Sequence, residues 1–290
     1  MPRPSAAPVV LKFGGELLEE PERLTAVARA VAKLSRATSL VIVHGGGREI
    51  DRALARAGIE KRQVDGLRIT DEPTLEIVVG VLAGLINTRF VAALGASGVA
   101  AVGLTGADAG VGQVVPATPH VTSAGVSVDL GRVGEPAGKD QPALLHDLCG
   151  KGYVPVVSSI GASRDGALFN VNADTLAAHL AARLKSPRLV IAGGTAGVLD
   201  PAGATIADLS FAGIDALVGG GGATAGMIAK LTACRTAVEG GTREVFIADG
   251  RDPGALAVLA RYGRKAGAAR STRIVAGTTD ARRQVKRKVS

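Results

Sequence analysis

Short β-branched runs take turns with longer stretches of helical period along most of this 290-residue chain. That alternation makes successive strands run parallel, each returned to the sheet by a helix, and it covers the sheet on both faces. Val9-Val10-Leu11-Lys12-Phe13 is the first run, and Gly14-Gly15 ends it. The spacing of Leu24, Val27, Val31 and Leu34 predicts a helix over 20–33 with one buried face. Leu40-Val41-Ile42-Val43 is the second strand, followed by His44-Gly45-Gly46-Gly47 and a helix over 49–57. A longer helix begins near Pro73, where proline suits the first turn, and runs toward Leu94. Leu75, Val78, Leu82, Leu85 and Ile86 line one side of it, yet Ile77, Val81 and Ala92 make other faces apolar too. Such a helix is either central or buried against a second subunit. Pro, Thr and alternating Val over 113–133 predict hairpins. Strands over 153–157, 189–191 and 245–247 then alternate with helices over 174–184 and 227–238. The expected fold class is α/β: a three-layer αβα sandwich around a central, mostly parallel sheet. Two lobes, 1–182 and 183–290, share that sheet, and a basic tail occupies 276–290.

Composition narrows the setting. Hydrophobic residues make up 47% of the chain but aromatics only 2%, so the core is built from aliphatic side chains. The first ten residues, MPRPSAAPVV, lack the pattern of a secretion leader, and Cys149 and Cys234 stand 85 positions apart, so a reducing cytoplasm is the expected compartment. The uncharged stretch over 90–107 carries four glycines and reads as a helix end, a turn and a strand, not as a membrane crossing. The net charge of +8 sits in the tail: residues 261–290 hold ten bases against one acid, leaving 24 bases and 25 acids in the first 260. A terminal charge run of this kind is a solvated end, with contact to an acidic partner or RNA as the alternative. Tyr262 is the only aromatic near it, so base stacking has little to work with. Neither nucleic acid nor membrane is an expected partner.

Three glycine-rich turns are read as following strands: Gly14-Gly15, Gly45-Gly46-Gly47, and the run over 219–222. Backbone N–H groups there can close on an anion, helped by the positive end of the next helix, so phosphate or carboxylate is the expected guest. Each loop alone reads more readily as a tight turn, and it is the three together that point to an anion. No P-loop and no GxGxxG after a strand is present, which sets aside a Walker-type NTPase and a dinucleotide dehydrogenase. His44 precedes a glycine loop and shapes it, while His120, His146 and His179 lack metal-ligand spacing; no metal ligand is assigned.

Taken in order, these residues resemble the amino-acid kinase family. The likeness rests on Lys12-Phe13-Gly14-Gly15, Val41-Ile42-Val43-His44-Gly45-Gly46-Gly47 and Val64-Asp65-Gly66-Leu67-Arg68-Ile69-Thr70. It continues through Val102-Gly103-Leu104-Thr105-Gly106, Asp129-Leu130-Gly131, Val154-Pro155-Val156-Val157-Ser158, Asn170-Val171-Asn172-Ala173-Asp174 and Gly226-Met227-Ile228-Ala229-Lys230. The resemblance implies transfer of a phosphoryl group from ATP, with Mg²⁺, to the side-chain carboxylate of N-acetyl-L-glutamate. Lys12, Asp174 and Lys230 are then the expected catalytic residues, with Asp174 holding both ammonium groups in place. Gly14 and Gly15 would bind phosphate. Gly45, Gly46, Arg68 and Asn170 would bind substrate, the planar Arg68 fork suiting a carboxylate. Gly193, Gly194 and Lys230 would lie at the nucleotide. The first lobe would take acetylglutamate and form a homodimer through the long helix, and the second would take ATP. A carboxylate is already ionised at neutral pH and needs no general base, so the absence of a Ser-His-Asp or Cys-His set fits.

The sequence departs from the family at Gly193-Gly194, where a Ser or Thr followed by Asp is the usual pattern, and weaker or altered nucleotide binding is expected there. About eight residues precede the first strand, too few for the N-terminal helix of arginine-inhibited hexamers, so a dimer insensitive to arginine is expected. Two other readings remain open. One is a kinase for glutamate or aminoadipate linked to an acidic carrier protein, which the basic tail would suit. The other is a non-catalytic regulatory paralogue.

Overall fold

The computed structural model describes residues 7–122, 125–138, 141–263 and 270–277. Eight strands form one sheet: β1 (Val9–Phe13), β2 (Leu40–His44), β3 (Ala101–Thr105), β4 (Val154–Ser158), β5 (Arg188–Gly193), β6 (Asp208–Ser210), β7 (Glu244–Asp249) and β8 (Ser271–Val275). Their order is β6-β8-β7-β5-β1-β2-β4-β3. Neighbours from β7 across to β3 pair in parallel, whereas β8 runs antiparallel to β7 and carries β6 alongside it in parallel. The four strands before residue 160 fill one half of the sheet and the four after residue 187 fill the other, meeting at the β1–β5 seam.

Helices cover both faces, as the alternation requires. On one side lie α1 (Pro21–Ser35), α2 (Gly47–Arg56) and α3 (Glu72–Ala96), with α8 (Pro253–Tyr262) beside α1. On the other lie α4 (Ala143–Gly150), α5 (Ala173–Arg183), α6 (Phe211–Gly219) and α7 (Ala225–Glu239). Side chains alternate across a strand. On β1, Val9, Leu11 and Phe13 enter the first core and Val10 enters the second, which sends Lys12 toward α5 and α7.

The long helix α3 starts where proline suggested, with Asp71 accepting the Thr74 N–H at 3.0 Å. Its middle widens into π geometry over Gly80–Ile86, which apolar spacing does not reveal. Among the described residues it is the one helix long and apolar enough to cross a membrane, with a mean hydropathy of 2.0 over its best window. Its position explains that content: Val78, Leu82, Ile86, Phe90 and Leu94 are buried under the sheet, and the Phe90 ring meets Phe13 edge-on at 5.8 Å.

Two expectations need correction. The glycines over 219–222 follow a helix, not a strand: Gly220 closes α6 and Gly221 takes φ +67, a helix stop before Thr224 caps α7. The edge formed by β6 and β8 was not anticipated, because three- and five-residue strands carrying Asp208, Ser210, Ser271 and Arg273 have too little apolar content to register. The basic tail over 276–290 lies outside the described residues from 278 onward.

Candidate active site

The sheet's strand order reverses at β1, with β2 on one side and β5 on the other. The carboxyl ends of these three strands therefore face one crevice, the place where open α/β sheets hold ligands. All three run into glycines: Gly14-Gly15, Gly45-Gly46-Gly47 and Gly193-Gly194. The close approach is real, since a Cβ on Gly15 would lie 2.7 Å from the Gly46 Cα. Two adjoining cavities, of about 310 and 350 Å³, open here and share Lys12, Glu16, Gly66, Leu67, Asn172 and Asp174. The first adds Gly14, Gly15, Gly45, Gly46, Arg68 and Asn170 to its wall. The second adds Gly193, Gly194 and Lys230. All the residues singled out in the sequence thus border one continuous cleft.

At the junction of the cavities Asp174 bridges two cations, with Lys12 Nζ 2.8 Å from Oδ1 and Lys230 Nζ 2.9 Å from Oδ2. Lys12 comes from the central strand and Lys230 from α7, 218 positions later. Asp174 stands in the first turn of α5, where the Asn172 side chain accepts the N–H groups of Asp174 and Thr175 at 2.9 and 3.1 Å. A helix N-terminus favours negative charge, so local structure and ion pairing agree. Lys12 and Asp174 are each only 7% exposed. Burial alone would raise the Asp174 carboxyl, but the ammonium charges of Lys12 and Lys230 outweigh it and hold the group down at about 2. Burial lowers the Lys12 ammonium, and the charge of Asp174 opposes that. Asp174 is therefore ionised at neutral pH, with a lysine on each of its oxygens.

The anion cradle is narrower than the sequence suggested. Gly14 donates its N–H to Ala192 O at 3.0 Å and Gly45 donates to Phe13 O at 3.3 Å, because both still belong to the sheet ladder. Gly15 and Gly46, one residue further on, keep N–H groups that donate to no protein acceptor among the described residues. They stand at the starts of a short 3₁₀ turn (Gly15–Leu17) and of α2, so the positive ends of both point at the cleft.

Arg68 sits on a two-strand hairpin, Gln63–Val64 with Leu67–Arg68, turned by Asp65 and Gly66 at φ +45 and +76. Positive φ at both positions is what an Asp-Gly hairpin turn supplies. The hairpin leans across the cleft, a Cβ on Gly66 falling 3.1 Å from the Ala225 Cβ of α7. One arm of the Arg68 guanidinium pairs with Asp51, itself held by Lys61 at 2.9 Å. The other arm, Nη1, is buried without a hydrogen-bond partner. Asn170 donates to Thr70 Oγ1 at 3.2 Å from the opposite wall.

His44 is enclosed: its Nδ1 lies 3.3 Å from Gly45 O and its Nε2 3.1 Å from the Asn87 amide nitrogen. Burial pushes it down to about 4, so it is a neutral ring bracing the glycine loop. Burial also pushes Cys149 up to about 11 and raises Cys234, so neither is a thiolate at neutral pH. Three cleft residues escaped the sequence reading. Asn172 caps α5 from within the matched Asn170–Asp174 motif, a signal two residues before Asp174. Asp51 aims Arg68 from α2, and nothing local marks it. Glu16, directly after Gly14-Gly15, reaches across to Gly194, whose N–H it accepts at 2.9 Å.

Fold and cleft together define a carboxylate- or phosphate-handling enzyme of the αβα sandwich class, and the chain belongs to the amino acid kinase family, which residues 7–249 match. An acetylglutamate kinase from Sphingopyxis alaskensis is 40% identical over 252 residues, 85% of this chain and 83% of that protein. One from Dinoroseobacter shibae is 39% identical over 248 residues, covering 85% and 83%. Among solved structures, N-acetylglutamate synthase from Neisseria gonorrhoeae, complexed with coenzyme A and N-acetyl-glutamate, superposes with a TM-score of 0.75 at 28% identity. That match covers 93% of this chain and 59% of the synthase, so the chain spans less than two thirds of the synthase's length.

Proposed function

We propose that this chain phosphorylates the side-chain carboxylate of N-acetyl-L-glutamate with ATP, a step of arginine biosynthesis, in the cytoplasm. The single observation that carries the chemistry is the Lys12–Asp174–Lys230 bridge at the junction of two cavities, one walled by glycine amides and Arg68, the other by Gly193, Gly194 and α7. Kinship at about 40% identity with acetylglutamate kinases supports the choice of acceptor.

In this reading the acetylglutamate occupies the 310 Å³ cavity, in the lobe of residues 1–182, and ATP the cavity formed mainly by 183–290. The free Nη1 of Arg68 takes the substrate's α-carboxylate, and Asn170 reads the amide side of the same molecule. The γ-carboxylate oxygen attacks the terminal phosphorus of ATP. A new O–P bond forms as the bond to the bridging oxygen breaks, and ADP leaves with the electron pair. Lys12 neutralises the phosphoryl group in flight and Lys230 the leaving β-phosphate. Gly15 and Gly46 donate to the oxygens where charge gathers, which preorganised amides do without reorganisation. Mg²⁺ would be held chiefly through phosphate oxygens and water, with a carboxylate at the cleft, and would offset phosphate charge. Two free, buried cysteines suit a reducing compartment.

ADP release in the presence of N-acetylglutamate, glutamate or aminoadipate tests this directly. Turnover is expected with the acetylated acceptor alone. Turnover only with a carrier-linked acceptor, or with none, would favour one of the other readings instead. The proposed assembly is a homodimer joined along α3, whose outward side presents Gly80, Gly84 and Leu85, the last 50% exposed. Light scattering of the purified chain is expected to give twice the 29.1 kDa of one subunit. A monomer or a hexamer would contradict it.

A further inference from the structure

Glu16 has no part in the transfer chemistry above, yet its carboxylate lies in the middle of the phosphate side of the cleft. It folds back over Gly14 so closely that a Cβ there would fall 2.3 to 2.5 Å from the carboxylate atoms. It also reaches the end of β5, where Oε1 accepts the Gly194 N–H at 2.9 Å and would lie 3.3 Å from a Cβ on Gly193. Gly14 and Gly193, from two neighbouring strands, thus leave the slot that this one carboxylate fills, and the Gly194 N–H anchors it there. The slot borders both cavities, and the charge of Glu16 acts on Lys12.

The other acids on the nucleotide side are committed. Asp174 has a lysine on each oxygen, and Asp65 Oδ2 pairs with His120 Nε2 at 2.9 Å. Glu16 Oε2 accepts no hydrogen bond among the described residues, so it retains donor capacity toward a cation. With Glu16 included, two lysines and two carboxylates meet where the cavities join. A bare triphosphate arriving there meets a carboxylate at its own binding amide. Like charges a few ångströms apart in a partly enclosed cleft repel strongly. A hard divalent cation between phosphate and carboxylate oxygens turns that repulsion into ligation.

Resting on the reading of this cavity as the nucleotide site, we infer that Glu16 makes it select the metal complex of the nucleotide over the metal-free form, with Oε2 serving the cation. The glycine pair at 193–194 then has a use: Gly193 gives room to a carboxylate supplied from the other strand, and the Gly194 N–H holds it.

Calorimetry with AMP-PNP, in EDTA and in Mg²⁺, reads the effect without turnover. The wild-type protein is expected to bind the metal-free analogue about tenfold or more weaker than the Mg²⁺ complex. Glu16→Gln keeps an oxygen for the Gly194 N–H and removes only the charge, so it is expected to shrink that ratio to about threefold or less, mainly by tightening the metal-free complex. Glu16→Ala should move the ratio the same way. An unchanged ratio in both variants overturns the inference and leaves the nucleotide site standing. Failure of all three proteins to bind the analogue in Mg²⁺ overturns the nucleotide site and the inference with it.

Discussion

Alanine in place of Lys12 or of Lys230 is expected to lower kcat by about 10²-fold or more, with a smaller change in the KM for N-acetylglutamate. Both ammonium groups meet the nucleotide's terminal phosphates in the proposed arrangement, where negative charge moves between γ-phosphoryl and β-phosphate as the bond breaks. A cation that follows charge made in the transition state acts on kcat more than on ground-state binding. The two losses should not simply add, because each variant also leaves Asp174 with one partner, and residues that share a partner couple. Lys12 carries the larger expected effect, being 7% exposed and fixed by the central strand of the sheet. Steady-state rates for the two single variants and the double variant check this. A K12A enzyme within a few-fold of wild type would remove Lys12 from the chemistry.

Asp174→Asn is expected to damage stability and rate together. The asparagine leaves two ammonium groups facing one another with no anion between them, and breaking a buried pair at one partner costs about 3 kcal/mol or more. Urea unfolding of the variant measures that part. The pH dependence has a definite sign. The Asp174 carboxyl is held at about 2 in the fold against an ordinary 3.8. A carboxylate depressed in the folded state stabilises it above the unfolded value, and that contribution, about 2 kcal/mol, is lost as pH falls through about 2. Asp174→Asn should lack this acid-sensitive part. On the alkaline side, the Lys12 ammonium is already lowered by burial and Asp174 opposes the fall. Without Asp174 the group deprotonates at lower pH, so the residual activity of the variant should decline at a lower pH than that of wild type. A rate profile with an unmoved alkaline limb would contradict the role given to Asp174.

Much of the fold was legible because parallel strands and amphipathic helices have distinct periods, and here each is written in aliphatic residues. β1, β2, β4, β5 and β7 all fall where β-branched runs stand. The β6–β8 edge and the π segment of α3 were not legible, the first for lack of apolar content, the second because widening a helix changes its hydrogen bonds more than its pattern. In the cleft, Lys12, Asp174 and Lys230 were recognisable only as members of ordered motifs. No spacing rule brings together residues 162 and 56 positions apart; the strand-order reversal at β1 and the packing of α5 on α7 do. Which amides stay open to the cleft was not readable either. Gly14 and Gly45 look identical to Gly15 and Gly46 in sequence, and only the last rung of the sheet ladder, ending at Phe13 O and Ala192 O, separates the engaged donors from the open ones. Glu16 was overlooked because one acid after a glycine pair reads as an ordinary exposed residue until Gly193 is seen to make room for it and the Gly194 N–H to hold it.

The most direct test is a crystal structure of the protein with AMP-PNP, Mg²⁺ and N-acetylglutamate. The account predicts Lys12 Nζ within hydrogen-bond distance of a γ-phosphate oxygen, Lys230 Nζ on the β-phosphate side, and Asp174 still between them. A triphosphate seated elsewhere, or one contacted by neither lysine, would contradict it.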